Sequence, residues 1–192
     1  RTFHVPLIGY EPALKVKTIS TLLPEETKAM VPNVNVTTEP NDIFSDDEID
    51  MVVVATPNIF HRDYAEKALQ AGKHVVVEKP LAITSKEIAA LIALAKQKDR
   101  ILMQFHNRRW DGGFLTVQQL IKDGACGDIK LLEMNYDRWV PTVSEGWRDT
   151  AAAGSGVLYD LGLHLLDQTL ALFGRPIAVQ ATIANQRPGA TV

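Results

Sequence analysis

The chain has 192 residues, 46% of them hydrophobic, and a formal net charge of −3, which suffices for the core of one large domain or two small ones. A mild acidic balance without a Lys/Arg cluster speaks against a nucleic-acid partner, whose phosphates need concentrated positive charge. The single cysteine, Cys126, leaves no internal disulfide or thiolate metal cluster and fits a reducing cytoplasm. No apolar run approaches the ~20 residues of a membrane helix and no signal peptide is recognisable, so no membrane partner is expected. The ends, Arg1 and a Val192 just beyond a Pro-Gly pair, read as those of a fragment or a partly ordered chain.

Leu14 to Leu22 is a β-like run whose alternation slips near Ile19. Ile49 to Ala55 is a continuous apolar strand, and residues 61–71 place Tyr64, Ala65, Ala68 and Leu69 at helical spacing before Gly72 stops the helix. His74 to Glu78 reads as a strand buried on both faces. Ser85 caps a helix that runs to Lys98 with Ile88, Leu91, Ile92 and Ala95 on one face, and Ile101 to Phe105 is a further strand. Short apolar strands alternating with helices predict an α/β fold with a parallel sheet over residues 1–105. The rhythm then changes. Phe114 to Asp123 is a helix, Ile129 to Asp137 alternates like a half-buried strand, Leu158 to Phe173 is a long apolar helix, and Ile177 to Ala184 is strand-like. Residues 106–192 therefore read as the start of an α+β domain, cut off at its end.

Ligands of open parallel sheets bind at the carboxyl ends of the strands. Two consecutive strands end there in Ala55-Thr56-Pro57-Asn58 and in Glu78-Lys79-Pro80. The charged pair has two readings: solvated loop charges, or parts of a site stiffened by Pro80, whose X-Pro bond can be cis. Further on, Asp160, His164, Asp167 and Gln168 recur at i, i+4, i+7 and i+8 on a helix otherwise rich in leucine. An amphipathic surface helix would explain such a stripe, but its lack of Lys and Glu favours a polar cleft. Gly154 and Gly156 before it would let a ligand approach the helix N-terminus. The five histidines are scattered without paired-His spacing, so no metal site is expected, and the GxSxG elbow of a serine hydrolase is missing. His74 reads as structural, and His61 as the start of its helix, where it could face the crevice.

ATPNxxH, AGKHVVVEKP, NRRWD, and WR followed by GSGxLYDLGxHxxDQ together resemble the glucose–fructose oxidoreductase / inositol dehydrogenase / MocA (Gfo/Idh/MocA) family, in order and spacing from about Thr2 to Pro188. The resemblance implies NAD or NADP as cofactor and a Rossmann domain over 1–105. It also implies a domain with an open, mostly antiparallel sheet from 106 onward. Lys79, Asp160 and His164 would line the nicotinamide and substrate pocket and carry the chemistry. Thr56, Pro57, Asn58, His61, Glu78, Pro80, Asn107, Trp147 and Arg148 would meet the cofactor, Lys79 among them. Arg109 and Tyr159 would meet the substrate beside Asp160 and His164. Two departures stand out. The sequence begins beyond the strand and GxGxxG loop with which the family opens. The run Leu14 to Leu22 also ends in Ser20-Thr21-Leu22 without the acid that binds a ribose 2′-OH. Small hydroxyls leave room for a 2′-phosphate, which Lys28 or Arg1 could pair with, so NADP is slightly favoured.

The expected activity is hydride transfer between the nicotinamide and a hydroxyl-bearing carbon of a sugar, polyol or related small molecule. His164 would be the base, Asp160 would orient it or the hydroxyl, and Lys79 would favour the anionic oxygen. Reduction of an enone or turnover of a diol-type aromatic substrate fits the same class. The rival expectation is a non-catalytic sensor or regulator with the same fold, though a sensor has no need of all three residues. The intact protein is expected to be a homo-oligomer, dimer or tetramer, in the cytoplasm.

Overall fold

The computed structural model describes residues 3–191, which divide into two compact units. The first takes the chain up to Ala55, Arg62–Val77 and Lys86–Met103; the second takes Thr56–His61, Glu78–Ser85 and the chain from Gln104 on. The loops that leave the carboxyl ends of the central strands thus belong with the second unit.

In the first unit, α1 (His4–Tyr10) precedes β1 (Thr18–Ser20), α2 (Pro24–Met30), β2 (Asn35–Thr37) and α3 (Asn41–Phe44). β1 and β2 pair in parallel, Thr18 opposite Asn35 and Ser20 opposite Thr37. The expected run from Leu14 to Leu22 contracts to three residues of strand, in keeping with the slip of alternation near Ile19. Pro24 opens α2 at the first turn, where its missing N–H costs nothing, and Glu25 and Glu26 follow it at the positive end.

A second sheet has the order β3 (Met51–Val54), β4 (His74–Glu78), β5 (Leu102–Phe105), with Val52 opposite Val75 and Val54 opposite Val77 in parallel register. Burial alternates: Val75 and Val77 are fully buried, whereas His74, Val76 and Glu78 are half-covered. β4 is therefore not the strand buried on both faces that its three valines predict. α4 (His61–Gln70) packs Ala65, Ala68 and Leu69, and α5 (Ser85–Gln97) packs Leu91 and Ala95, into the same core. Ile88 and Ile92, expected on that face of α5, are less covered, and Ile92 is exposed. His74 is structural as expected, its Nδ1 accepting the Ile101 N–H at 3.0 Å.

The second unit carries 3-10 turns at Asn107–Trp110 and Trp147–Asp149, α6 (Gly112–Lys122) and α7 (Leu163–Phe173). Leu158–Gly162, expected as the first turn of a continuous α-helix, winds instead as a π-turn, a form that recurs at functional sites. The strands expected at Ile129 to Asp137 and Ile177 to Ala184 are not formed. Both segments have the right alternation, but a ladder needs a paired backbone, and neither finds one among the described residues. Among the described residues no helix is long and apolar enough to cross a membrane.

Candidate active site

Every side chain described in this section belongs to the second unit. Two loops carry its first half. After β3 the chain turns through Thr56 and Pro57 into a 3-10 turn at Asn58–Phe60; after β4, whose last residue is Glu78, it runs through Lys79 and a cis bond to Pro80. His61 ties the two loops together. Its Nδ1 lies 2.6 Å from the Pro80 carbonyl and its Nε2 2.8 Å from the Thr56 carbonyl, and the residue is fully buried. His61 thus starts its helix as expected but presents no surface to a crevice. Asn58, also buried, donates its amide to the Gly154 carbonyl at 2.7 Å, joining this loop to the segment that leads into the DLGLH run. Gly154 has φ +79°, and a Cβ there would stand 3.0 Å from Ile83 Cγ1, so both conformation and space require glycine. The Tyr159 hydroxyl donates to the Ile83 carbonyl at 3.4 Å.

The π-turn brings in the second half. Lys79 Nζ donates to the backbone carbonyl of Asp160 and to its Oδ1 at 3.0 Å. Arg148 Nε stands 3.5 Å from the same Oδ1, and its guanidinium stacks on Trp147, 4.6 Å from the ring centroid. Burial pushes the Asp160 carboxyl up, but the hydrogen bond and charge of Lys79, followed by Arg148, outweigh it and hold the group below the usual carboxylate value. His164, one turn further, is buried, and its Nδ1 has no hydrogen-bond partner among the described residues. Burial first, then Lys79, Arg108 and His106, lower its proton affinity; Asp160 opposes them. Burial and the surrounding cations thus favour the neutral form of the His164 imidazole.

Arg109 is committed elsewhere. Its Nε donates to Asp167 Oδ2 at 3.0 Å and its Nη2 to Oδ1, a two-pronged grip on a carboxylate that is only 8% exposed. Asn107 opens the same turn, half-buried, and Gln168 Nε2 donates to the Arg108 carbonyl at 2.9 Å. An open cavity of about 260 Å³ lies here, with Arg108, Asp111, Asn135, Tyr136, His164 and Gln168 among its lining residues. The sequence pattern gave His106 no role and did not bring Arg108, Asp111, Asn135 and Tyr136 to His164 and Gln168. Asp167 and Gln168 stood in the polar stripe, yet nothing in their spacing pointed to the NRRWD turn as their partner. Among the described residues no cluster of three or more His, Cys, Asp or Glu could hold a metal ion.

Residues 2–106 match the oxidoreductase family with the NAD-binding Rossmann fold, and residues 114–192 match the GFO/IDH/MocA C-terminal domain. The chain belongs to the Gfo/Idh/MocA oxidoreductase family. It is 45% identical over 190 residues to the uncharacterised oxidoreductase YdgJ of Escherichia coli, covering 99% of this chain and 55% of that protein. It is 41% identical over 188 residues to the NADP(+)-dependent scyllo-inositol 2-dehydrogenase IolW of Bacillus subtilis, covering 98% and 52%. The solved oxidoreductase yvaA of Bacillus subtilis superposes with a TM-score of 0.93 at 41% identity, covering 98% of this chain and 54% of that one. The chain thus spans about half the length of these relatives. As a Gfo/Idh/MocA chain it has the α/β architecture of the family, a Rossmann-type NAD-binding domain followed by C-terminal domain sequence.

Proposed function

We propose that the protein is an NAD(P)-dependent oxidoreductase that moves hydride between the nicotinamide and a hydroxyl-bearing carbon of a sugar, polyol or related small molecule. The observation that carries this reading is the meeting of Lys79 with Asp160, one helical turn from a buried, neutral His164. The residues fit such a substrate, because Lys79 offers a cation able to hold a developing alkoxide, and His164, four residues beyond Asp160, an imidazole whose neutral form burial favours. When bound, the nicotinamide supplies the hydride acceptor or donor. Lys79 commits two of its three N–H groups to Asp160 and keeps the third for a substrate oxygen. His164 accepts the hydroxyl proton at a ring nitrogen. Asp160, its carboxylate kept charged by Lys79 and Arg148, fixes the ammonium in place.

Within this reading, Glu78, Lys79, Pro80, Thr56, Pro57, Asn58, Asn107, Trp147 and Arg148 form the cofactor side. His61 acts from beneath by fixing the two loops. Tyr159 and Arg109 belong to the substrate side, Arg109 through its hold on Asp167. NADP is the favoured cofactor. β1 ends without an acid at Ser20-Thr21, and the Bacillus subtilis relative is named an NADP(+) enzyme. Lys28, paired with Glu25 at 3.2 Å on α2, is the cation available to a 2′-phosphate; Arg1 lies outside the described residues. The test is a panel of polyols and sugars offered to the intact protein with NADP and with NAD, followed by nicotinamide absorbance. Turnover supports the enzyme; tight cofactor binding with silence across the panel leaves the sensor.

A further inference from the structure

The turn that carries Trp147 and Arg148 is held from a distant part of the chain. Trp147–Asp149 is a single 3-10 turn set between irregular segments, with no ladder or longer helix to fix its direction. Its backbone is tied behind: Ser155 Oγ donates to the Trp147 carbonyl at 2.8 Å, and the Gly156 N–H to the Arg148 carbonyl at 2.9 Å. The Asp149 carboxylate ties it in front. Its Oδ2 accepts the Ser144 N–H at 2.9 Å and the Ser144 hydroxyl at 2.8 Å, while its Oδ1 accepts Arg187 Nη2 at 2.6 Å. The Arg187 hydrogen bond first, then those of Ser144, hold the Asp149 carboxyl well below the usual carboxylate range.

Arg187 stands where an exposed stretch of chain returns to the fold. Residues 173–186 are exposed, yet the Arg187 and Asp149 side chains are only 20% and 15% exposed. Arg187-Pro188-Gly189-Ala190 closes a turn, the Ala190 N–H donating to the Arg187 carbonyl at 3.1 Å with Gly189 at φ +78°. Proline second and glycine third are the residues a type II turn asks for. Asn185 Nδ2 donates to the Ala190 carbonyl at 3.1 Å and Arg187 Nη1 to the Thr142 carbonyl at 3.4 Å. An ion pair this near the surface contributes little to global stability. What it fixes is local, the direction of a turn whose guanidinium stacks on Trp147 and stands against Asp160.

We infer that Arg187 is a positioning residue for the cofactor: by holding Asp149 it sets Trp147 and Arg148 in the one orientation in which both meet the dinucleotide. The inference rests on the cofactor-side reading of Trp147 and Arg148 given above. Arg187 itself touches neither cofactor nor substrate in this scheme; it acts through the Asp149 carboxylate two residues beyond the indole.

The experiment titrates NADPH and NADH, by their fluorescence, into the intact wild type, Arg187→Ala, Arg187→Lys, Arg148→Ala and the Arg187→Ala/Arg148→Ala double variant. The indole N–H resonances of Trp110, Trp139 and Trp147 are recorded beside it without cofactor. Arg187→Ala is expected to weaken binding about tenfold, the equivalent of one hydrogen bond to a charged group. Arg187→Lys recovers part of this, since an ammonium still meets one carboxylate oxygen. The double variant binds no more weakly than Arg148→Ala, because the two act on one contact. The Trp147 resonance moves in Arg187→Ala while those of Trp110 and Trp139 hold. With any substrate turned over, the KM for cofactor rises and kcat at saturating cofactor changes little. Wild-type affinity in Arg187→Ala overturns the inference, and so do additive losses in the double variant. Shifts of all three indoles with a lowered melting temperature overturn it too, as the mark of a merely structural role. Should Arg187→Ala fail to fold, Asp149→Asn removes the same charge pair with a side chain of equal size, and wild-type affinity there overturns it. Weakened binding in a protein that turns over nothing on the panel would sink the oxidoreductase reading and leave this inference standing.

Discussion

Lys79 reaches 81 residues along the chain to Asp160, donating to both its backbone carbonyl and its carboxylate, with the two side chains 15% and 24% exposed. Substitution Lys79→Ala removes the charge meant for the substrate oxygen and the main partner of the carboxylate together. Turnover is expected to fall by about 10²–10³ while cofactor affinity changes little, because the donor acts where charge develops. Steady-state kinetics with a cofactor-binding titration check this; near-normal kcat would sink the assignment.

His164→Asn keeps a polar side chain and removes the base. A positioned general base contributes about 10²–10⁴, so kcat is expected to drop within that range. In the wild type the acid limb of kcat is expected below pH 6.5, the ordinary imidazole value from which His164 is lowered. A limb above that value would contradict the neutral-base reading.

Stability should follow the same imidazoles. His106 and His164 both have folded proton affinities below the ordinary imidazole value of 6.5, so the unfolded chain takes up protons first as pH falls. Stability is therefore full above about pH 6.5 and is lost as pH drops from there toward the lowered folded values, below which this contribution is flat. Asp160 acts at lower pH: its stabilisation is present above the ordinary carboxylate value of 3.8 and is lost as pH falls through its depressed folded value. Thermal melts between pH 7.5 and 5 check the first part, and the slope is expected to shrink in His164→Asn.

Arg109→Ala leaves the Asp167 carboxylate, 8% exposed, without its two-pronged partner. The expected cost is about 1.5–3 kcal/mol, the range for a hydrogen bond to a charged group. Arg109→Lys should recover little, since an ammonium cannot grip both oxygens at once. Urea midpoints with unchanged m-values measure both.

Gly154→Ala forces a side chain into φ +79° and against Ile83. A loss of about 1–2 kcal/mol is expected from the backbone conformation alone. Asn58→Ala, which leaves the buried end of the 2.7 Å hydrogen bond to Gly154 unmet, should not add independently to it. A double-mutant cycle in urea shows the coupling.

The α/β rhythm, the helices at His61–Gln70 and Ser85–Gln97 and the strand His74–Glu78 were legible in the chain, because buried periodicity is a local property that a single segment displays. The motifs around Lys79, Asp160 and His164 likewise carried the family. Pairing was not local. Residues 129–137 and 177–184 alternate as strands should, yet alternation supplies only one side of a ladder, and the described residues supply no other. The π-turn at Leu158–Gly162 escaped notice for a similar reason: the leucine pattern suits a helix of either winding, and the distant Lys79 takes up the Asp160 carbonyl within that turn. Its place at the start of a helix offered His61 to a crevice, and the family resemblance offered Arg109 to a substrate. Tertiary structure buried the first between two carbonyls and closed the second on Asp167, because burial obliges polar groups to find partners wherever the fold places them.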